Sequence, residues 1–195
     1  MLTRIAVLVS GGGTNLQALL DAEKSGALHS GKIALVVSSR PDAYALTRAQ
    51  NAGIEASVCR DETEMLRLLK EREIDLIVLA GYMSILSPAF TAQFPERIIN
   101  IHPALIPSFC GKGMYGLHVH EAVLQYGVKV TGATVHYVNE IPDGGRILLQ
   151  KAVEIEDGDT PERLQKRVME QAEWVLLPRA AEMVSKKLAE EKKNG

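Results

Sequence analysis

The chain is predicted to be an α/β protein, with a mostly parallel, twisted sheet carrying helices on both faces and an antiparallel strand pair toward the C-terminal half. Three observations lead there. Short apolar runs at 5–9, 33–37 and 74–80 have the length and β-branched content of strands buried on both faces. Segments with apolar residues at helical spacing alternate with them, and that order builds parallel sheets through right-handed crossovers. Two alternating runs, 128–138 and 147–155, flank Pro142-Asp143-Gly144-Gly145, a turn signal that pairs them antiparallel.

The first strand, Ile5-Ala6-Val7-Leu8-Val9, is broken by Ser10-Gly11-Gly12-Gly13-Thr14-Asn15, after which Leu16, Leu19 and Leu20 give helical spacing. The second strand, 33–37, ends at the Ser38-Ser39-Arg40-Pro41-Asp42 turn. A helix over 43–51 stops at Gly53, and a weaker strand covers 54–58. Asp61 caps a helix carrying Met65, Leu68 and Leu69. The clearest strand is 74–80. Pro88 opens a short helix, and 98–101 is the next strand. Residues 103–115 hold two prolines and two glycines without periodicity and read as a long surface loop, a kind usually tied to function. A helix over 116–126 ends at Gly127. Thr160-Pro161 starts a C-terminal helix that Pro178 should kink or restart, and the charged tail from Lys186 reads as a solvated, fraying helix. The N-terminal half is Rossmann-like in this alternation, so ligands belong beyond the carboxyl ends of its strands.

A chain of 195 residues, 46% apolar and 24% charged, has room for one sizeable core or for two small lobes sharing a sheet. Its net charge of −2 provides no global attraction to nucleic acid or membrane surfaces, and neither is expected as a partner. Cys59 and Cys110 lack metal-type spacing and point to a reducing, cytoplasmic compartment. No targeting segment, repeat or membrane-length apolar run is read.

Chemistry concentrates in three places. Asn100-Ile101-His102-Pro103 ends a strand, and residues two apart on a strand project from one face. An amide, an imidazole and a carboxylate such as Asp143 are the parts that stabilise an oxyanion and manage a proton in acyl transfer. Taken singly, His102 could be a satisfied core histidine and Asp143 a hairpin residue that caps its own backbone. The glycine loop joins a buried strand to a helix, where free N–H groups favour an anion such as phosphate, and Thr14 and Asn15 add side-chain donors. Neither a P-loop nor a dinucleotide fingerprint is present, and a ligand-free turn is the plainer alternative. His118 and His120 are not spaced for a shared metal, and His118 could reach a ligand from its loop position. His29 and His136 read as structural, and nothing near Cys110 activates it.

Four stretches, Ser10 to Leu19, Leu79 to Pro88, Ile99 to Pro107 and Asp143 to Gln150, resemble the phosphoribosylglycinamide formyltransferase family, folate-dependent enzymes of purine (IMP) biosynthesis. The likeness covers nearly the whole chain in order. Asn-x-His with a distant Asp is shared with methionyl-tRNA formyltransferase and formyltetrahydrofolate deformylase. The glycine-rich loop and the lack of an extra domain point to the glycinamide ribonucleotide branch.

The resemblance implies a single formyltransferase domain over 1–195, with a phosphate- and nucleotide-binding half (1–100) and a folate-binding, catalytic half (101–195). It implies 10-formyltetrahydrofolate as co-substrate, glycinamide ribonucleotide as acceptor, no metal, and a monomer or homodimer. Gly13, Thr14 and Asn15 would hold the phosphate and Glu173 the ribose hydroxyls. Met83, Ser84, Ile85 and Leu86 would line the folate pocket, with Asn139, Glu140, Ile141, Pro142 and Asp143 wrapping the pterin. Asn100, His102 and Asp143 would carry the reaction, Asn100 and a protonated His102 binding the oxyanion while Asp143 raises the histidine pKa. Three positions depart from the family pattern. Ser84 stands where some members have Arg; the segment 59–69 is short, leaving Arg60 as candidate for the folate-contacting Arg; and Trp174 replaces a His beside Glu173. The alternatives are hydrolysis of formyltetrahydrofolate by the same three residues, or a non-catalytic module binding nucleotide phosphate.

Overall fold

A computed structural model describes residues 2–194. Its strands are β1 (Thr3–Val9), β2 (Gly31–Ser38), β3 (Glu55–Val58), β4 (Leu76–Leu79), β5 (Ile98–His102), β6 (Val130–Tyr137) and β7 (Ile147–Glu154). They form one sheet in the order β3-β2-β1-β4-β5-β6-β7. Neighbours from β3 to β5 pair parallel, whereas β6 runs antiparallel to both β5 and β7. The helices are α1 (Thr14–Ser25), α2 (Tyr44–Asn51), α3 (Glu62–Glu71), α4 (Pro88–Thr91), α5 (Leu117–Tyr126), α6 (Pro161–Val168) and α7 (Trp174–Asn194), with a π-helical turn, Met169–Glu173, joining the last two.

Side-chain alternation along β1 divides the interior. Ile5, Val7 and Val9 pack with Leu16 and Leu19 of α1, Val123 of α5, Val168 of α6 and Leu177 of α7. Ala6 and Leu8 face the other way, onto Met65 and Leu69 of α3 and Phe90 of α4. The expected helices on both faces are present, and each fully buried Leu or Val contributes about 1.5–3 kcal/mol. Local signals behave as their chemistry requires: Asp61 accepts from the Glu64 N–H at 2.8 Å, and Thr160 Oγ1 from the Arg163 N–H at 3.3 Å.

Three expectations need correction. Pro178 lies inside α7 and does not restart it; the interruption falls earlier, at the π turn. A single missing N–H frees only the carbonyl one turn back, which packing of Leu176, Leu177, Ala180 and Ala181 outweighs. The tail from Lys186 stays docked, because Val184 and Leu188 continue the buried stripe of α7. Its charges are used as well, Lys187 reaching Glu96 at 2.7 Å and Lys192 reaching Asp75 at 2.7 Å. Nor is segment 103–115 wholly superficial. Ala104 is buried, and the hydroxyl of Thr134 on β6 donates to its carbonyl at 2.7 Å. The same oxygen accepts from the Ile106 N–H at 3.1 Å and from Gln150 Nε2 at 3.0 Å, tying loop to sheet.

Thr134→Val keeps the shape and removes this hub, leaving buried backbone groups without partners. Denaturant unfolding is expected to show a loss of about 1–3 kcal/mol. A change below about 0.5 kcal/mol, the level of an ordinary surface substitution, would show that the loop is held by other contacts.

Candidate active site

The site forms beyond the carboxyl ends of β1, β4 and β5, where an open α/β sheet leaves a crevice. Asn100 and His102 occupy β5 two residues apart, and the antiparallel register sets Asn100 opposite His136 and His102 opposite Thr134. Directly opposed residues share a face and touch. Asn100 Nδ2 accordingly donates to His136 Nε2 at 3.2 Å, while His136 Nδ1–H donates to the Tyr137 carbonyl at 2.7 Å. The Tyr137 carbonyl fixes a proton on Nδ1 of His136, and the contact at Nε2 orients the Asn100 amide. Sequence reasoning treated His136 as structural; its place in the site depends on strand register, for which the residues around it carry no signal. A register shift between Val135 and His136 in the pairing with β7 coincides with it.

Asp143 comes from the loop after β6 and adopts a left-handed φ of 54°. Its Oδ2 accepts the Gly111 N–H at 2.8 Å and lies 3.7 Å from His102 Nδ1; its Oδ1 lies 3.6 Å from His136 Nε2. The carboxylate thus sits between two imidazoles without a short bond to either. Gly145 makes the approach possible, since a Cβ there would stand 1.7 Å from the Tyr137 carbonyl oxygen. His102 Nε2–H instead donates to the Phe109 carbonyl at 2.8 Å, which leaves Nδ1 on the Asp143 side.

Electrostatics differ from the sequence expectation at His102. Burial pushes its pKa below the usual imidazole value, more than the Asp143 charge and the Phe109 carbonyl raise it. Asp143 feels burial upward, yet His136, the Gly111 N–H and His102 together hold its carboxyl below the ordinary range. His102 therefore favours the neutral imidazole, facing an ionised carboxylate. His120, fully buried, has neither ring nitrogen partnered among the described residues, and burial, then His102, pushes its pKa down to about 4. His118 turns away to Glu121 at 3.1 Å and the edge of Tyr115.

Across the cleft, the glycine loop leads into α1, where Thr14 and Asn15 face the same space. Asn15 Nδ2 donates to Glu173 Oε2 at 2.6 Å, and Asn15 Oδ1 has no partner among the described residues. Glu173 belongs to the π turn, a distortion that commonly marks functional positions. Burial pushes its pKa up to about 7, against the pull of Asn15. Beside Glu173, the Trp174 Nε1 also lacks a partner among the described residues.

One cleft of about 590 Å³ is lined by Asn100, His102, His120, His136, Asp143, Thr14, Asn15, Glu173, Met83, Ser84, Ile85, Leu86, Asn139, Glu140 and Pro142. Gly13, Ile141 and Arg60 are not among its lining residues. Ile141 is exposed, and Arg60 Nε donates to the Ser39 carbonyl at 2.5 Å. The Met83 N–H is held by Ser10 Oγ at 2.9 Å, which anchors the turn after β4 to the end of β1. Cys110 donates to the Pro107 carbonyl at 3.2 Å and burial pushes its thiol pKa up, so no activated thiolate is present there.

Known proteins share this sequence and fold. The chain is 42% identical over 184 residues to phosphoribosylglycinamide formyltransferase of Haemophilus influenzae, covering 90% of this chain and 84% of that protein. It is 40% identical over 176 residues to the chloroplastic enzyme of that name from Arabidopsis thaliana, covering 85% of this chain but only 60% of the plant protein's length. The crystal structure of glycinamide ribonucleotide transformylase 1 from Symbiobacterium toebii superposes with a TM-score of 0.89 at 39% identity, over 95% of this chain and 89% of that one. The family model described as formyl transferase matches residues 3–180, and the chain belongs to the formyl transferase family.

Proposed function

We propose that this chain transfers the formyl group of 10-formyltetrahydrofolate to the amine of glycinamide ribonucleotide, a step of de novo purine (IMP) biosynthesis. One observation carries the reading: the amide, two imidazoles and carboxylate around Asn100 share a single cleft with an anion-ready helix start at Thr14 and Asn15. The first set suits acyl transfer, the second a phosphorylated acceptor. A pure hydrolase has no use for the second.

The neutral amine attacks the formyl carbon, and charge develops on the formyl oxygen. Asn100, its amide oriented by His136, donates its remaining Nδ2 hydrogen to that oxygen. Attack turns the amine into an acidic ammonium, which gives its proton to neutral His102 at Nδ1. Asp143 stabilises the imidazolium so formed from 3.7 Å. The proton then passes to the folate nitrogen as its bond to the formyl carbon breaks. Each proton lost by nitrogen is recovered by the leaving group, and the enzyme returns to its starting state. Met83 through Leu86 and the 139–143 loop hold the folate, and Thr14, Asn15 and Glu173 hold phosphate and ribose. Fixing the two substrates end to end adds acceleration through proximity.

Mixing the purified protein with both substrates and following the formylated amide tests the reading. Release of formate without the ribonucleotide, at the rate seen with it, would replace transfer by hydrolysis. Asn100→Ala, His102→Ala and Asp143→Ala are each expected to lower kcat by about a hundred- to a thousand-fold while folate binding stays measurable. Wild-type turnover in any of the three removes that residue from the mechanism. Asn15→Ala and Glu173→Gln should raise KM for the ribonucleotide and leave folate nearly untouched; equal losses for both would contradict the division of the cleft.

Glu173 also makes stability depend on pH. Its folded pKa of about 7 exceeds the ordinary 4.5, so the folded protein binds the extra proton between these values. Stability should therefore fall as pH rises from about 4.5 through about 7. Glu173→Gln removes that slope, so the variant gains on the wild type between pH 5 and pH 8 in ligand-free thermal unfolding. Parallel wild-type and variant curves would mean that Glu173 ionises normally.

A further inference from the structure

We propose that Arg48 is a positioning residue for the phosphate cradle, acting through the carbonyl of Gly12; this rests on the reading that the loop before α1 receives the acceptor's phosphate. Arg48 lies on α2, behind the loop, with its guanidinium 5.1 Å from the Tyr44 ring centroid. Its Nε donates to the Gly12 carbonyl at 2.8 Å, and its Nη1 donates to Gln17 Oε1 on α1 at 2.9 Å. One residue earlier, the Gly11 carbonyl accepts the Ala45 N–H of α2 at 3.1 Å. Two successive carbonyls are thus turned toward α2.

Peptide planarity carries this across the loop. In a trans peptide the carbonyl and the next N–H point in opposite directions. Anchoring the Gly11 and Gly12 carbonyls on α2 therefore aims the N–H groups of Gly12 and Gly13 away from it. Successive N–H groups aimed one way form a concavity for anions, and here it leads into the unsatisfied first turn of α1. Little else restrains these peptides: Gly11 and Gly12 are exposed, and a Cβ on either would meet nothing within 4 Å. Rotation of the Gly12–Gly13 peptide would present a carbonyl oxygen where the phosphate needs a donor. The forked guanidinium bridges loop and α1 at once, which a lysine's single ammonium cannot reproduce in that planar geometry. The packing is already at its limit, since a Cβ on Gly13, where φ is 73°, would lie 2.7 Å from Ala45 Cβ.

The experiment compares wild type, Arg48→Ala and Arg48→Lys by steady-state kinetics with both substrates and by calorimetric binding of ribose 5-phosphate. Arg48→Ala is expected to raise KM for the ribonucleotide about tenfold or more, with folate KM and kcat within about threefold of wild type. Arg48→Lys should lose at least about threefold in ribonucleotide KM, because charge without the fork does not fix the peptide. The loss should persist at high salt, whereas an effect of charge alone would fade with screening. Unchanged ribonucleotide KM, a parallel loss for both substrates, a wild-type-like Arg48→Lys, or a defect that disappears in salt would each overturn the proposal. If Arg48→Ala fails to fold, as judged by its circular dichroism melt, Arg48→Lys and Gln17→Ala, which frees the far end of the fork, decide the matter by the same readouts. Weakened ribose 5-phosphate binding upholds Arg48 even if the wild type forms no formylated amide; in that case only the acceptor assignment falls.

Discussion

The antiparallel pairing of β5 with β6 is the constraint on which the rest of the site depends. A sheet whose first five strands run parallel changes direction there, and the change sets Asn100 against His136. From that one opposition follow the orientation of the Asn100 amide and the launch point of the loop that brings Asp143 back over both histidines. A slip of one residue would turn His136 to the opposite face and leave Asn100 without its partner. Burial of Val135 and Tyr137 against one helix layer holds the register in place.

Around that frame, buried ionisable groups are gathered. His102, His120 and His136 are nearly or wholly buried, as is Glu173. Burial disfavours charge on His102, His120 and Glu173, and Asp143 stays ionised because hydrogen-bond donors and imidazoles surround it. The cleft thus sets two imidazoles that favour the neutral form, His102 and His120, beside one carboxylate. Such an arrangement accepts a proton when a substrate generates one and stabilises the resulting cation without solvent reorganisation. Asn15 and His120, whose unpartnered atoms find no partner among the described residues, both line the cleft, where polar groups of a ligand could satisfy them.

The C-terminal helices act on the site from behind. The π turn places Glu173 against Asn15, while α7 locks onto the sheet through buried apolar residues and the bond from Thr3 Oγ1 to the Ser185 carbonyl at 2.8 Å. The π turn and the packed helix belong together, because the buried face of α7 fixes where the turn presents Glu173.

Strand and helix order, the caps at Asp61 and Thr160, the glycine loop and the shared face of Asn100 and His102 were all determined by the sequence alone, because they rest on local periodicity, turn chemistry and spacing along the chain, whereas Asp143 joins that pair only in the folded chain. Only the tertiary structure decided the role of His136, the neutral state of His102 and the docked ends of α7, since register, burial and the continuing apolar stripe arise from partners far apart in the chain. Arg48 shows the division most plainly. Nothing in its neighbourhood on α2 signals the loop it restrains, because that contact crosses 36 residues and exists only once α2 has packed against the glycines.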